Sequence, residues 1–193
     1  MDLVEFLHNL YLRCFGLIRS PKKEWYRINE EQLTVGQLIF NYVFPLVLFV
    51  VVASMVGDYI NRDAASWTSQ FFGVAAVRSF LIFAISLTAS IKALDALIKF
   101  YVGYPDVNLA SKLVFFSFVP IVLSAILCSL IPDLFLARLL PLYGAYLMFY
   151  GSQLVPGISS NDRPIFRFAS AILILAIYFP VNFVLSAFLG AIK

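Results

Sequence analysis

The chain has 193 residues, 62% hydrophobic and only 13% charged, with a mean hydropathy of +0.90 and a net charge of +3. Soluble domains average about 45–50% apolar and about 25% charged, so these figures place the chain in a lipid bilayer and exclude a secreted domain, a cytosolic enzyme and a disordered tail. A helical span takes about 20 apolar residues, so the length holds about four to six spans and no sizeable soluble catalytic domain.

Residues 1–36 form the first unit. Leu3, Phe6, Leu7, Leu10, Cys14 and Leu17 recur at spacings of three and four, one face of a helix, with Asp2, Glu5, Asn9 and Arg13 mainly away from it. Ser20 followed by Pro21 starts a second helix. In it Lys22, Lys23, Trp25, Tyr26 and Arg27 mix cations with interface-seeking rings. The expectation is an amphipathic cytoplasmic helix on the inner leaflet, rings at headgroup level and cations toward anionic lipid. Packing on the end of the helical bundle is the alternative. Membrane lipids and a protein partner are the contacts expected of this segment.

Residues 37–193 read as five apolar spans, at 38–56, 71–98, 109–131, 134–155 and 165–192. Gly57-Asp58, Asn61-Arg62-Asp63, Gly103-Tyr104-Pro105-Asp106, Pro132-Asp133 and Pro156-Gly157 punctuate them. No run alternates with a period of two, and helices satisfy every backbone group internally, as lipid requires. The fold class is therefore all-α, a polytopic bundle of five transmembrane helices. Arg13, Arg19, Lys22, Lys23, Arg27, Lys92, Lys99, Lys112, Arg163 and Arg167 fall on one side of such a bundle. Only Arg62, Arg78, Arg138 and Lys193 fall on the other. The positive-inside rule then puts the N-terminus in the cytoplasm and the C-terminus outside.

The second span carries unusual charge. Arg78 and Lys92 bracket residues 79–91, about 20 Å of helix against about 30 Å of hydrocarbon. Either both snorkel or one enters the core. Asp95 stands three and four residues from Lys92 and Lys99, a spacing that allows mutual neutralisation on one helical face. Intramembrane charges mark pathways or partner sites, so Arg78, Lys92, Asp95, Lys99 and the nearby Asp106 are candidate functional or buried charges. Ser86, Thr88, Ala89, Ser90 and Ala93 suit close helix packing and place this span in the bundle interior.

Pro45, Pro120, Pro141 and Pro180 fall within or near the ends of the first, third, fourth and fifth spans, where each frees a carbonyl and can kink its helix. Asn182, two residues past Pro180, is placed to re-satisfy opened backbone. Gln37, Asn41 and Gln153 are further candidates for bonds across helices. Ser186 and Gly190 form a small-xxx-small pair that hints at a homo-oligomer. Asp58, Asp63 and Asp133 are placed to pair with Arg62, Arg78 and Arg138 on the outer side. Cys14 and Cys128 make neither a disulfide framework nor a zinc site, and His8 has no second imidazole. No catalytic or cofactor-binding motif occurs, so no catalytic residue, metal or cofactor is expected. The scattered cations carry no nucleic-acid signature.

Three stretches carry a family resemblance: "LIRSPKKEWYRI" before the first span, "GYPDVNLASKLVFFSFVP" with Ser117-x-x-Pro120, and the aromatic-glycine run "PLYGAYLMFYGSQLV". Together they resemble the Yip family of Rab-interacting membrane proteins in its short bacterial branch. The resemblance implies a non-enzymatic, five-span protein of the bacterial inner membrane. Eukaryotic members act with Rab GTPases in vesicle traffic. This sequence lacks their long cytosolic N-terminal region and its Asp-Leu-Tyr-Gly-Pro stretch, so Rab binding is not carried over. The expected function is a membrane-organising or adaptor protein. The alternative is a small transporter or channel subunit that uses the charged second span and the proline-kinked helices.

Overall fold

Helices α1 (Leu3–Arg19) and α2 (Pro21–Glu30) open the computed structural model, which describes residues 3–31, 33–61 and 69–190. They form a hairpin turning at Ser20. Pro21 heads α2, where a missing N–H costs nothing. The Ser20 side chain makes no capping bond, so the start rests on the proline and the backbone. Next comes a capping box. The Gln37 amide donates to Thr34 Oγ1 (3.4 Å) and the Thr34 amide to Gln37 Oε1 (3.0 Å), which starts α3 (Val35–Leu38). Gln37 is thus spent locally rather than across helices.

A π-helical turn, Ile39–Val43, joins α3 to α4 (Phe44–Asn61). Its cause is Pro45, which has no N–H for the Asn41 carbonyl. The helix widens just before it, and the Phe44 amide reaches back five residues to the Ile39 carbonyl. Then follows α5 (Ser69–Val102), 34 residues and about 50 Å long. Gly103 ends it in the left-handed region (φ 92°), its amide on the Lys99 carbonyl. Pro120 breaks the third apolar run into α6 (Val107–Ser117) and α7 (Val119–Leu130). The Phe116 carbonyl has lost its donor there, and α8 comes in backbone to backbone: a Cβ on Gly144 would lie 2.7 Å from the Ser117 carbonyl oxygen. The chain closes with α9 (Arg163–Gly190), which carries Pro180 inside it.

Among the described residues, four helical stretches are long and apolar enough to cross a membrane: Val35–Asn61, Gly73–Val102, Val107–Leu130 and Arg163–Leu189. They coincide with four of the five predicted spans. The remaining predicted span, 134–155, is composite. A 3-10 turn (Phe135–Leu139) leads into α8 (Leu140–Gly151), and a second 3-10 turn (Ser152–Leu154) ends it. Pro141 shortens its α-helical part, because the turn before an N–H-free residue tightens instead of propagating. No strand occurs among the described residues.

The bundle's interior is α6–α7, not α5. Of the most apolar stretch of Val107–Leu130, 61% is buried, against 33% for Gly73–Val102. This corrects the expectation drawn from the small residues of the second span. Ser86 and Ser90 are buried, but Phe80, Ile85 and Phe100 on the same helix are exposed, so α5 lends one face to the core and gives the rest to its surroundings. Phe116, Phe118, Ile121 and Leu147 form the centre of the core, and Leu17, Trp25 and Ile28 of the hairpin belong to the same cluster.

Candidate functional site

The hairpin docks on the bundle through one tight contact and one buried charge cluster. Trp25 is 3% exposed. Its ring meets Phe116 edge-on (6.3 Å) and covers the bare Cα of Gly151. Beside it, Arg13 of α1 reaches across the hairpin. Nη1 donates to Glu24 Oε1 (2.7 Å) and Nη2 to Glu31 Oε1. The Arg13 and Glu24 side chains are only 13% and 8% exposed. Arg27 adds a longer contact to Glu24 (3.7 Å), and Lys112 Nζ donates to the Glu31 carbonyl (2.6 Å), tying the hairpin's end to α6. The Arg13 guanidinium also lies 5.9 Å from the Phe116 ring centre. Burial opposes the Arg13 charge, but the Glu31 hydrogen bond and the pull of Tyr42 and Glu31 outweigh it, and the guanidinium is held more firmly protonated than usual.

A second tie runs along α8. The Tyr143 hydroxyl donates toward the carbonyls of Leu17 (3.2 Å) and Ile18 (2.9 Å), among the last of α1, which have no helical donor of their own. Between the hairpin and the π-helical turn lies an open groove of about 610 Å3. Arg13, Glu24, Arg27, Glu30, Glu31 and Tyr42 are among the residues lining it. Its carboxylates exceed its cations by one.

Glu24, Glu31 and Tyr42 have no place in the sequence reading, and Arg13 is assigned there to the polar side of α1. The available signal is weak but real. Glu24 shares the buried face of α2 with Trp25 and Ile28, and Glu31 follows seven residues on at the C-cap, so a carboxylate stands on an apolar face and needs a buried cation. Of the five residues expected at the lipid surface, Lys22, Lys23, Tyr26 and Arg27 are exposed and Trp25 is inside the protein. Lys22 lies over the Tyr150 ring at 5.2 Å. On α1, Leu10 and Leu17 are buried and Cys14 half-buried, while Leu3, Phe6 and Leu7 have side chains outside the described residues. Tyr11, Leu12, Phe15 and Ile18 are exposed, an outer apolar face absent from the expected pattern.

The second-span charges separate. Lys92 and Lys99 are exposed and Asp95 half-buried. Among the described residues no ion pair joins them, and Asp95 Oδ1 is buried without a hydrogen-bond partner. Asp106 is a helix cap: its Oδ1 accepts from the Leu109 amide (2.9 Å) at the head of α6.

Arg78 points to the opposite end of the bundle. It lines an open cavity of about 510 Å3 together with Arg138, Asp58, Asn61, Asn182 and Pro141. Of the charges expected on the outer side, Asp58, Arg78 and Arg138 line this one cavity. Asp133 is not in the lining, and Arg62, Asp63 and Lys193 lie outside the described residues. Asn182 Oδ1 accepts from the Ser186 hydroxyl (3.3 Å) rather than serving the backbone opened by Pro180. No group of three His, Cys, Asp or Glu suited to a metal occurs among the described residues.

A comparison with protein families matches the Yip1 domain to residues 15–188. The match begins inside α1 and ends near the close of α9. No curated protein and no solved structure matches the chain.

Proposed function

The chain belongs to the Yip1 domain family of membrane proteins, and we propose that within it this protein is a non-enzymatic membrane-organising adaptor. Its working part is the N-terminal hairpin, held rigidly on the bundle at the cytoplasmic surface of a bacterial inner membrane. One observation carries the reading. The outer face of α1 exposes Tyr11, Leu12, Phe15 and Ile18 while its last carbonyls bond Tyr143. Tyr143 is eight residues, about 12 Å along α8, from the Gly151–Trp25 contact. A helix drawn that far along a span lays its outer face into the headgroup and acyl boundary, with Arg19, Lys22 and Lys23 toward anionic phosphate. The groove at Glu24, Glu30 and Glu31 then faces the cytoplasm and suits a basic segment of a protein partner.

Topology follows the same reading. The composite segment 135–154 measures about 34 Å from its 3-10 and α-helical rises, enough for about 30 Å of hydrocarbon. It makes the fifth crossing and puts the C-terminus outside. The transporter alternative draws on the cavity at Arg78. Phe83, Phe116, Phe118 and Ile121, each buried to within 2%, fill the bundle and weigh against a through-path.

The test places a fluorophore on a Phe15→Cys variant, with Cys14 and Cys128 replaced by serine, in liposomes. Quenching by lipids spin-labelled high on the acyl chain, with little quenching by aqueous iodide, is expected. The reverse pattern refutes the interfacial helix and the adaptor reading built on it.

A further inference from the structure

We propose that the cavity at the bundle end opposite the hairpin is a binding site for a phosphate-bearing group, with Arg78 and Arg138 as its charged ligands. This goes beyond the adaptor reading and does not depend on it. Arg78 stands seven residues past Phe71, where the second apolar run begins, about 10.5 Å along the helix. A cation at that depth is costly unless it is paired or wet. Yet Arg78 makes no hydrogen bond or ion pair among the described residues, and its side chain lines the cavity. Arg138 lines the same cavity and spends one N–H on the Pro132 carbonyl (3.2 Å), which leaves the rest of its fork free. Asp58 also lines the cavity, but it is not a free carboxylate.

The neutral lining decides the sign of the guest. Ser54 and Ser124 are turned away, donating to the Val51 and Ala137 carbonyls (2.8 and 2.7 Å). Asn182 has its oxygen engaged by Ser186, so its amide N–H groups are what it offers. Asn61 spends its N–H groups on the Gly57 and Ser129 carbonyls (2.7 and 3.4 Å) and offers an oxygen, but two guanidinium groups and the Asn182 amide still leave donors in excess in a space of about 510 Å3, and phosphate oxygens are acceptors only, matched to the guanidinium fork. The volume lies in the usual range of about 300–1,000 Å3 for small-molecule sites. Val50, Ile82, Phe83 and Phe179 supply an apolar wall beside the cations, a surface on which an acyl chain attached to the phosphate lies favourably.

Cys128 lines the same cavity and reports on it. The experiment measures the rate at which a small charged thiosulfonate modifies Cys128 in the purified full chain in detergent, with dioctanoyl phosphatidic acid or inorganic phosphate added. Protection of at least fivefold by one of these probes is expected. Protection by the lipid alone assigns a lipid headgroup; equal protection by inorganic phosphate assigns a soluble anion. Arg78→Gln with Arg138→Gln should abolish protection, whereas Lys92→Gln, at the far end of α5, should leave it intact. Arg78→Lys, which keeps the charge, covers the event that the double variant fails to fold and should retain part of the protection. No protection of the native chain by either probe, or undiminished protection of a folded double variant, overturns the proposal.

Discussion

Trp25 and Gly151 meet with no room for a side chain between them: a Cβ on Gly151 would lie 2.6 Å from Trp25 Cζ2 and 2.9 Å from Leu113 Cδ2. The hairpin's place on the bundle therefore depends on one missing methyl group. Gly151→Ala should destabilise the protein by about 1–3 kcal/mol, the usual cost of overpacking. It should also speed tryptic cleavage after Lys22 and Lys23 as α2 lifts away. Gly36→Ala, where nothing lies within 4 Å, should be neutral or stabilise α3 by about 0.5–1 kcal/mol. Thermal unfolding in detergent with limited proteolysis compares the two. Equal behaviour of both variants would mean that the hairpin is not packed at Gly151.

The Arg13–Glu24 pair is buried, and breaking such a pair strands a charge. Arg13→Ala should cost about 3–5 kcal/mol, whereas replacing both partners by apolar residues of similar size (Arg13→Met with Glu24→Leu) should recover most of the loss. Glu31→Gln should cost less, since the Glu31 side chain is 36% exposed. A double-mutant cycle on unfolding free energies gives the coupling directly. Strict additivity would sever the pair.

Burial pushes the Cys14 thiol up to about 11 from an ordinary 9.0, against a weaker pull from Arg13. The thiolate is the reacting species, so at pH 8 Cys14 should be alkylated about a hundredfold more slowly than an ordinary thiol. The stability sign follows. A group with a raised folded-state value adds stability that is fully present below pH 9 and lost as pH rises through 11. Timed iodoacetamide labelling read by mass spectrometry checks this, with Cys128 in its open cavity as the faster site. Rapid labelling of Cys14 would show the α1 interface to be open.

The membrane-crossing helices were legible because about 20 consecutive apolar residues are a compositional signal that needs no partner. The Gly103–Asp106 turn was legible for a similar reason, since a left-handed glycine and a capping aspartate act locally. The site was not. Arg13 meets Glu24 eleven residues away, and Lys112 meets the Glu31 carbonyl at a separation of 81, distances that no periodicity encodes. Trp25 reads the same whether its ring faces headgroups or Phe116. Lys92, Asp95 and Lys99 show the converse error: helical spacing brings Cβ atoms close, but long side chains choose their own rotamers, and the pairs do not form.

The π-helical turn also sets the phase of the first span. In an unbroken α-helix Leu38 and Val47, nine residues apart, would point about 180° away from each other. The residue absorbed by the turn reduces this to about 80°, and both can be buried, at 0% and 8% exposure. The segment before Pro45 is thereby clocked to the hairpin and α6, and the segment after it to α5 and α7. One proline lets a single helix serve two neighbourhoods whose angular demands a regular helix cannot meet together.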